Sequence, residues 1–246
     1  MNKVLPIAAA VVADAIRRKV VWVVAVFAAV LAIAIPALPS YGVGVVAAVF
    51  REVSIALMYT AAIVVALALS ATRIPVEVER RTVFNVISRD VRRWQYVLGT
   101  WLGMFAILGA VLLAFSIATI GIGAFEYGQW MWRLFEGAFG VWLEIGVIMA
   151  FTVMMSCQFG AVTAVVGAMA FTFIGHSILD IMNLPEAVLR NPPWYWPTLN
   201  VFNVINPVAH GDGYHLPYAI AMVISFVAWV ALLLFVGSLL FARRDL

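Results

Sequence analysis

The sequence predicts an all-α polytopic membrane protein with six transmembrane helices, and three observations carry that prediction. The 246 residues are 65% hydrophobic and 11% charged, whereas a soluble domain is nearer a quarter charged. The apolar residues collect in runs without Asp, Glu, Lys or Arg, at 20–50, 53–72, 94–125, 145–179 and 216–242. The basic residues collect between alternate runs. A membrane β-barrel would instead show alternating segments of about ten residues, and none is visible. With most of the chain committed to the bilayer, no soluble catalytic domain fits.

Crossing the hydrocarbon takes about 20 apolar residues in a helix. The runs place spans at about 20–39, 52–72, 95–120, 138–156, 161–181 and 217–241. The fourth and fifth share the run 145–179, extended backwards past Glu144 and folded as a hairpin. Before them, residues 1–19 begin MNKVLPIAAAVVADA, which mimics a cleaved signal peptide. The RRK that follows, and the full-length span after it, favour an uncleaved interfacial helix. Asp14, Arg17 and Arg18 would face water, and Ile7, Val11 and Val12 would face lipid.

With the N-terminus inside, Lys3, Arg17, Arg18, Lys19, Arg73, Arg80, Arg81, Arg89, Arg92, Arg93, Arg243 and Arg244 are internal. These are twelve of the fifteen basic residues, leaving Arg51, Arg133 and Arg190 outside. The asymmetry predicts both termini in the cytoplasm of a multi-pass protein of the cell inner (cytoplasmic) membrane.

The loop 73–94 holds six of those arginines. Pro75 is expected to interrupt the helix leaving the membrane. Glu77 can pair with Arg80 and Arg81 one turn on, while Val83, Phe84, Val86 and Ile87 form an apolar ridge. Trp94 and Tyr96 mark interface depth. A topology signal needs neither a ridge nor acidic residues, so the loop reads as a docking helix for a soluble partner.

On the other side, 124–137 with Trp130, Trp132 and Phe135 reads as an outer interfacial helix. The segment 182–216 holds five of the ten prolines, with Trp194, Tyr195 and Trp196. It reads as an aromatic belt with half-inserted helices and as a lid over an exit path.

Glu144, within span 4, either faces a partner or watery cavity or reaches the interface. His176 and Asp180, four apart, read as a pair on one helix face before they read as a proton relay. These three residues are the candidate substrate path. Met149, Met154, Met155 and Cys157 could offer soft sulfur to Cu(I), but methionine fills apolar gaps and packing is the preferred reading. Cys157, the single cysteine, excludes an internal disulfide. His210, Asp212 and His215 could bind a metal on the outside, but the G-D-G at 211–213 reads as a turn, so no metal is assigned. Gly99 with Gly103, and Gly160 with Ala164 and Ala168, mark close helix approach within the bundle or at a dimer seam.

The string E-R-R-T (79–82), an arginine-rich turn and Y-V-L-G-T-W-L-G (96–103) together resemble permease subunits of ABC transporters, ABC-2 type. Relatives carry an E-x-R-x-T stretch there, then a K-P-V-S-R-like turn and L-G-K-x-x-G at the head of span 3. This chain has S-R-D-V-R-R at the turn, with Asp90 in place of proline, and Thr100 in place of lysine. The interfacial helix before span 1, the outer W-P-T-L-N-V-F-N (196–203) and the final F-A-R-R-D-L extend the resemblance over the whole chain.

The resemblance implies a partnership with a second permease copy, identical or related, and with separate ATPase subunits. Glu77, Glu79, Arg80, Arg81, Thr82, Val83, Phe84, Val86, Ile87 and Arg89 would form the coupling helix that contacts the ATPase. ATP and Mg would be bound by that partner. The chain itself lacks G-x-x-x-x-G-K-[ST], and its only lysines are Lys3 and Lys19. No cofactor, no nucleic acid and no enzymatic activity are expected of it; an intramembrane enzyme would need a catalytic set such as H-E-x-x-H. Membrane lipid is an expected partner. The implied function is export of an amphipathic or lipid-like substrate, since no span carries a broad polar stripe. The alternatives are a permease that passes ATP-driven motion to an extracytoplasmic protein, as in copper-site maturation, and a non-transporting membrane scaffold.

Overall fold

The computed structural model describes residues 3–17, 26, 43–79, 91–181, 198–211 and 213–243. The described residues form seven α-helices and a short 3-10 turn, with no strand among them: α1 (Val4–Arg17), α2 (Val43–Glu79), α3 (Arg93–Tyr127), α4 (Leu134–Gln158), α5 (Ala161–Ile181), the turn Asn200–Phe202, α6 (Ile205–His210) and α7 (Leu216–Arg243). Four of them, α2, α3, α4 and α7, are long and apolar enough to cross a membrane. The predicted spans 52–72, 95–120, 138–156 and 217–241 fall inside these four, and 161–181 coincides with α5. Apart from Val26, the predicted span 20–39 lies outside the described residues.

α4 is the axis of the bundle. It packs against α2, α3, α5 and α7, and every residue from Leu143 to Ala150 is buried. Beside it runs an aromatic ladder. Phe105 lies between Trp101 and Trp142, with ring centroids 4.9 and 4.3 Å away and nearly parallel planes, and Phe226 of α7 joins at 5.2 Å. Both indoles are anchored across the α3–α4 seam. Trp101 Nε1 donates to the Gly146 carbonyl and Trp142 Nε1 to the Phe105 carbonyl, each at 3.1 Å. Gly146 makes room for the ladder, since a Cβ there would stand 2.5 Å from the Phe105 ring. Phe105→Ala empties the centre of the stack. It is expected to destabilise the bundle by about 3 kcal/mol, read as a lower melting temperature in detergent.

Three expectations about local structure are corrected. Pro75 does not interrupt α2, which continues through it to Glu79. A proline removes one N–H donor, and packing on the neighbouring helices holds the rest of the helix together; Ile74 is fully buried. The outer interfacial helix at 124–137 is not a separate helix. α3 runs to Tyr127 and ends at Gly128, whose φ of 64° and N–H to the Ala124 carbonyl close it off. Trp130 and Trp132 stack at 5.5 Å on the turn that follows.

The third correction concerns α1. Its apolar side is turned to α3 rather than to lipid, with Val4, Val11 and Ala15 buried. The G-x-x-x-G of α3 is the seat. A Cβ on Gly99 would stand 2.9 Å from the Ile7 side chain, and one on Gly103 2.7 Å from Val11 and 2.8 Å from the Ala8 carbonyl. The small residues therefore serve packing inside the chain.

The helix ends sort by charge. At one end Arg73 of α2 pairs with Asp14 of α1 and with Glu77. Tyr96 donates to Glu77 Oε2 at 2.5 Å. Arg93 Nη1 caps α7 through the Phe241 and Ala242 carbonyls at 2.9 and 2.7 Å. Asp14 is therefore ion-paired, not simply turned to water. Glu77 is engaged by Arg73 and Tyr96; Arg80 and Arg81, its predicted partners, lie outside the described residues. At the opposite end Arg133 pairs with Glu136 at 3.3 Å, and Glu136 Oε2 accepts the Tyr214 N–H. Burial, and then the Glu136 charge, push the Tyr214 phenol above its ordinary value. Gly211 and Gly213 have φ of 85° and 66°, as the predicted G-D-G turn requires.

Candidate functional site

Glu144 lies on α4 with only 2% of its surface exposed. Its side chain is turned inward among the helices. Tyr59 of α2 donates its hydroxyl to Glu144 Oε1 at 2.9 Å, and His176 Nε2 of α5 lies 2.8 Å from the same oxygen. The Tyr59 hydroxyl and His176 Nε2 are 3.5 Å apart. Three helices thus converge on one carboxylate oxygen.

The outer segment completes the cluster. Thr198 Oγ1 donates to the Gly175 carbonyl at 3.1 Å, and the Leu199 N–H donates to it at 3.0 Å. This fastens residues 198–202 over the end of α5. Gly175 and Gly140 permit the approach: a Cβ on the first would stand 2.7 Å from Leu199, and on the second 2.6 Å from Val204 and 2.9 Å from the Phe202 carbonyl. Leu199, Val201, Phe202 and Val204 are buried as a result. Asn200 then donates through Nδ2 to the His176 carbonyl at 3.0 Å, and its Oδ1 lies 2.9 Å from His176 Nδ1.

That arrangement orients the imidazole. With Asn200 Nδ2 committed to a carbonyl, its Oδ1 is an acceptor, so Nδ1 carries a hydrogen. Nε2 faces a carboxyl oxygen at 2.8 Å, a contact that is attractive only with a further hydrogen between the two atoms. Its placement makes the pair either imidazolium with carboxylate or imidazole with carboxylic acid. Both states are electrically neutral, which is how an apolar environment tolerates ionisable groups.

The cluster faces a cavity of about 430 Å³, within the range of small-molecule sites. Besides Tyr59, Glu144 and His176, its walls are mainly apolar, including Val141, Phe173, Phe202 and Val204. Met169 and Phe173 also lie on the exposed side of α5, so the cavity lies beside the outer flank of the bundle.

Of the predicted substrate path, Glu144 and His176 meet each other. His176 takes Glu144 and Asn200 as partners; the side chain of Asp180, its predicted partner, lies outside the described residues. Of the coupling residues, Glu77 and Glu79 end α2, while Arg80, Arg81, Thr82, Val83, Phe84, Val86, Ile87 and Arg89 lie outside the described residues. Of the sulfur set, Met149 and Cys157 are buried in the core, Met154 fills the space at Gly237 and Met155 that at Gly167. Tyr59 and Asn200 were not anticipated. Tyr59 is the only ring in the predicted second span, and a phenol in that position needs a hydrogen-bond partner. Asn200 lies in the string W-P-T-L-N-V-F-N (196–203), but nothing in that string pointed to His176.

No protein-family model matches the chain, and comparison with curated proteins gives no match.

Proposed function

We propose that this chain is the transmembrane permease subunit of an ABC transporter of ABC-2 type, which exports an amphipathic or lipid-like substrate when a separate ATPase drives it. The observation that carries the reading is the joint at Arg73. It ties α1 to the end of α2, and Tyr96 ties Glu77 to the start of α3. The predicted coupling loop, 73–94, joins those two helices, and its residues 80–90 lie outside the described residues. A push on that segment would therefore reach α1, α2 and α3 together, as a coupling element requires.

The six-span arrangement with cytoplasmic termini belongs to the same proposal. Arg73 and Asp14 lie at the basic end of the bundle. Phe50, near the start of α2, meets Tyr127, at the end of α3, with ring centroids 5.2 Å apart, and so lies at the opposite end. A first span at 20–39 suits a chain that must pass from one end to the other. The exposed stripe Val162, Val166, Met169 and Phe173 on α5 suits contact with lipid or with a second permease copy.

The test is reconstitution with the ATPase that co-purifies at equal stoichiometry. Arg81→Glu and Phe84→Asp are expected to abolish stimulation of ATP hydrolysis by the permease, and with it export. Stimulation at the wild-type level in both variants would reject the docking role of this segment.

A further inference from the structure

We propose that the cavity at Tyr59, Glu144 and His176 binds a lipophilic organic cation, of the alkyl- or arylammonium class, in exchange for one proton. The inference goes beyond the permease reading, because it concerns equilibrium binding in this chain alone.

The charge inventory of the cavity decides the ligand class. Among the described lining residues Glu144 and His176 are the only ionisable pair, Tyr59 is the only other titratable group, and no Lys, Arg or Asp contributes. α2 presents Tyr59, α4 presents Glu144 and α5 presents His176. The 198–205 segment presents the neutral amides Asn200, to His176, and Asn203, to the cavity. Empty, the site holds one carboxylate's negative charge balanced by one proton on the Nε2–Oε1 line. A ligand cation replaces that proton as the balancing charge. The proton leaves Nε2 for solvent, the imidazole keeps its Nδ1 hydrogen on Asn200, and Glu144 remains a carboxylate facing the cation. Net charge in the cavity is zero before and after.

Other ligand classes fare worse. An anion would share a low-dielectric space with Glu144 and would need a second proton. A neutral apolar molecule fits the walls but leaves the proton in place. The rings of Tyr59, Phe173 and Phe202 add faces that attract a cation, and the apolar walls accept its hydrocarbon body.

The experiment uses the full-length chain in nanodiscs of zwitterionic lipid, with empty nanodiscs as the blank. Benzyltrimethylammonium is titrated calorimetrically in two buffers of different ionisation heat, across a pH series. Binding is expected to release about one proton and to tighten about tenfold per pH unit while the pair holds its proton. Neopentylbenzene, of the same shape without charge, is expected to bind with no proton release. Benzenesulfonate is expected not to compete. E144Q should lose the ammonium and keep neopentylbenzene, which also reports an intact cavity. H176Q leaves Glu144 to balance its own charge with a proton in an apolar site, so it should still exchange about one proton for the ammonium, and it carries the test alone if E144Q does not fold. Ammonium binding by the wild type without pH dependence or proton release overturns the proposal. So does a wild type that binds no ammonium, an E144Q that binds it as the wild type does, or an H176Q that binds ammonium without releasing a proton. None of these measurements involves the ATPase, so their failure leaves the permease reading standing, and loss of coupling leaves this one standing.

Discussion

Gly103→Leu is expected to lift α1 off the bundle. The Cβ it introduces would stand 2.8 Å from the Ala8 carbonyl and 2.7 Å from Val11. One of these neighbours is backbone and cannot rotate away, so the whole helix must move. Overpacking costs about 1–3 kcal/mol, and moving α1 also pulls Asp14 from Arg73. Hydrogen exchange reads the result. Amides of α1 should exchange about five- to 150-fold faster, as a loss of about 1–3 kcal/mol of local protection requires. Gly121→Leu is the matched control, because nothing lies within 4 Å of a Cβ there. Equal protection of α1 in Gly103→Leu and Gly121→Leu would show that the G-x-x-x-G seat is not what holds the helix. If the joint at Arg73 transmits motion, Gly103→Leu should also weaken ATPase stimulation in the reconstituted complex.

The second large effect lies in the buried cluster. His176→Leu leaves Glu144 buried with Tyr59 as its remaining partner. Removing one member of a buried ionic pair costs about 3–5 kcal/mol, and the partial exposure of His176 puts the expected loss at the low end, about 3 kcal/mol. Glu144→Leu leaves the Tyr59 hydroxyl and His176 Nε2 without their shared acceptor, at about 1–3 kcal/mol for each unsatisfied group. The double variant removes both halves of the pair and leaves an apolar contact where the surroundings are already apolar. Its loss is expected to be smaller than the sum of the two singles by at least about 1 kcal/mol. Thermal unfolding of the four proteins in one detergent closes the cycle, and strict additivity would show that the two groups are not coupled.

The sequence and the structure agree where the cause is local. A charge-free run long enough to cross the bilayer has one low-energy backbone in hydrocarbon, a helix that satisfies its own N–H and C=O groups. Hence α3, α4 and α7 enclose the predicted spans, and α5 coincides with its prediction. The G-D-G turn was equally local, since glycine alone enters positive φ without cost. The misses have non-local causes. Pro75 looked like a break because its missing donor is visible in the sequence, while the packing that carries α2 past it is not. The aromatic cluster at 130–135 looked like an interfacial helix because Gly128 gives no warning that it will end α3 there.

The candidate site shows the same division at the level of single side chains. An acidic residue in an apolar run is conspicuous, so Glu144 could be singled out, and so could His176. Their meeting could not be, because Tyr59 and Glu144 are 85 positions apart and Glu144 and His176 are 32 apart. Helices that are apolar on every side carry no stripe to say which face turns inward. The sequence by itself determined that the chain is helical, where its long apolar helices run and which end of the bundle gathers arginine, because backbone satisfaction and the distribution of charge are properties of each segment. Only the tertiary structure decided that α1 seats on Gly99 and Gly103, and that Tyr59, Glu144, His176 and Asn200 meet in one hydrogen-bonded cluster. Both depend on how far neighbouring helices rotate and approach, and that is set by close packing between segments.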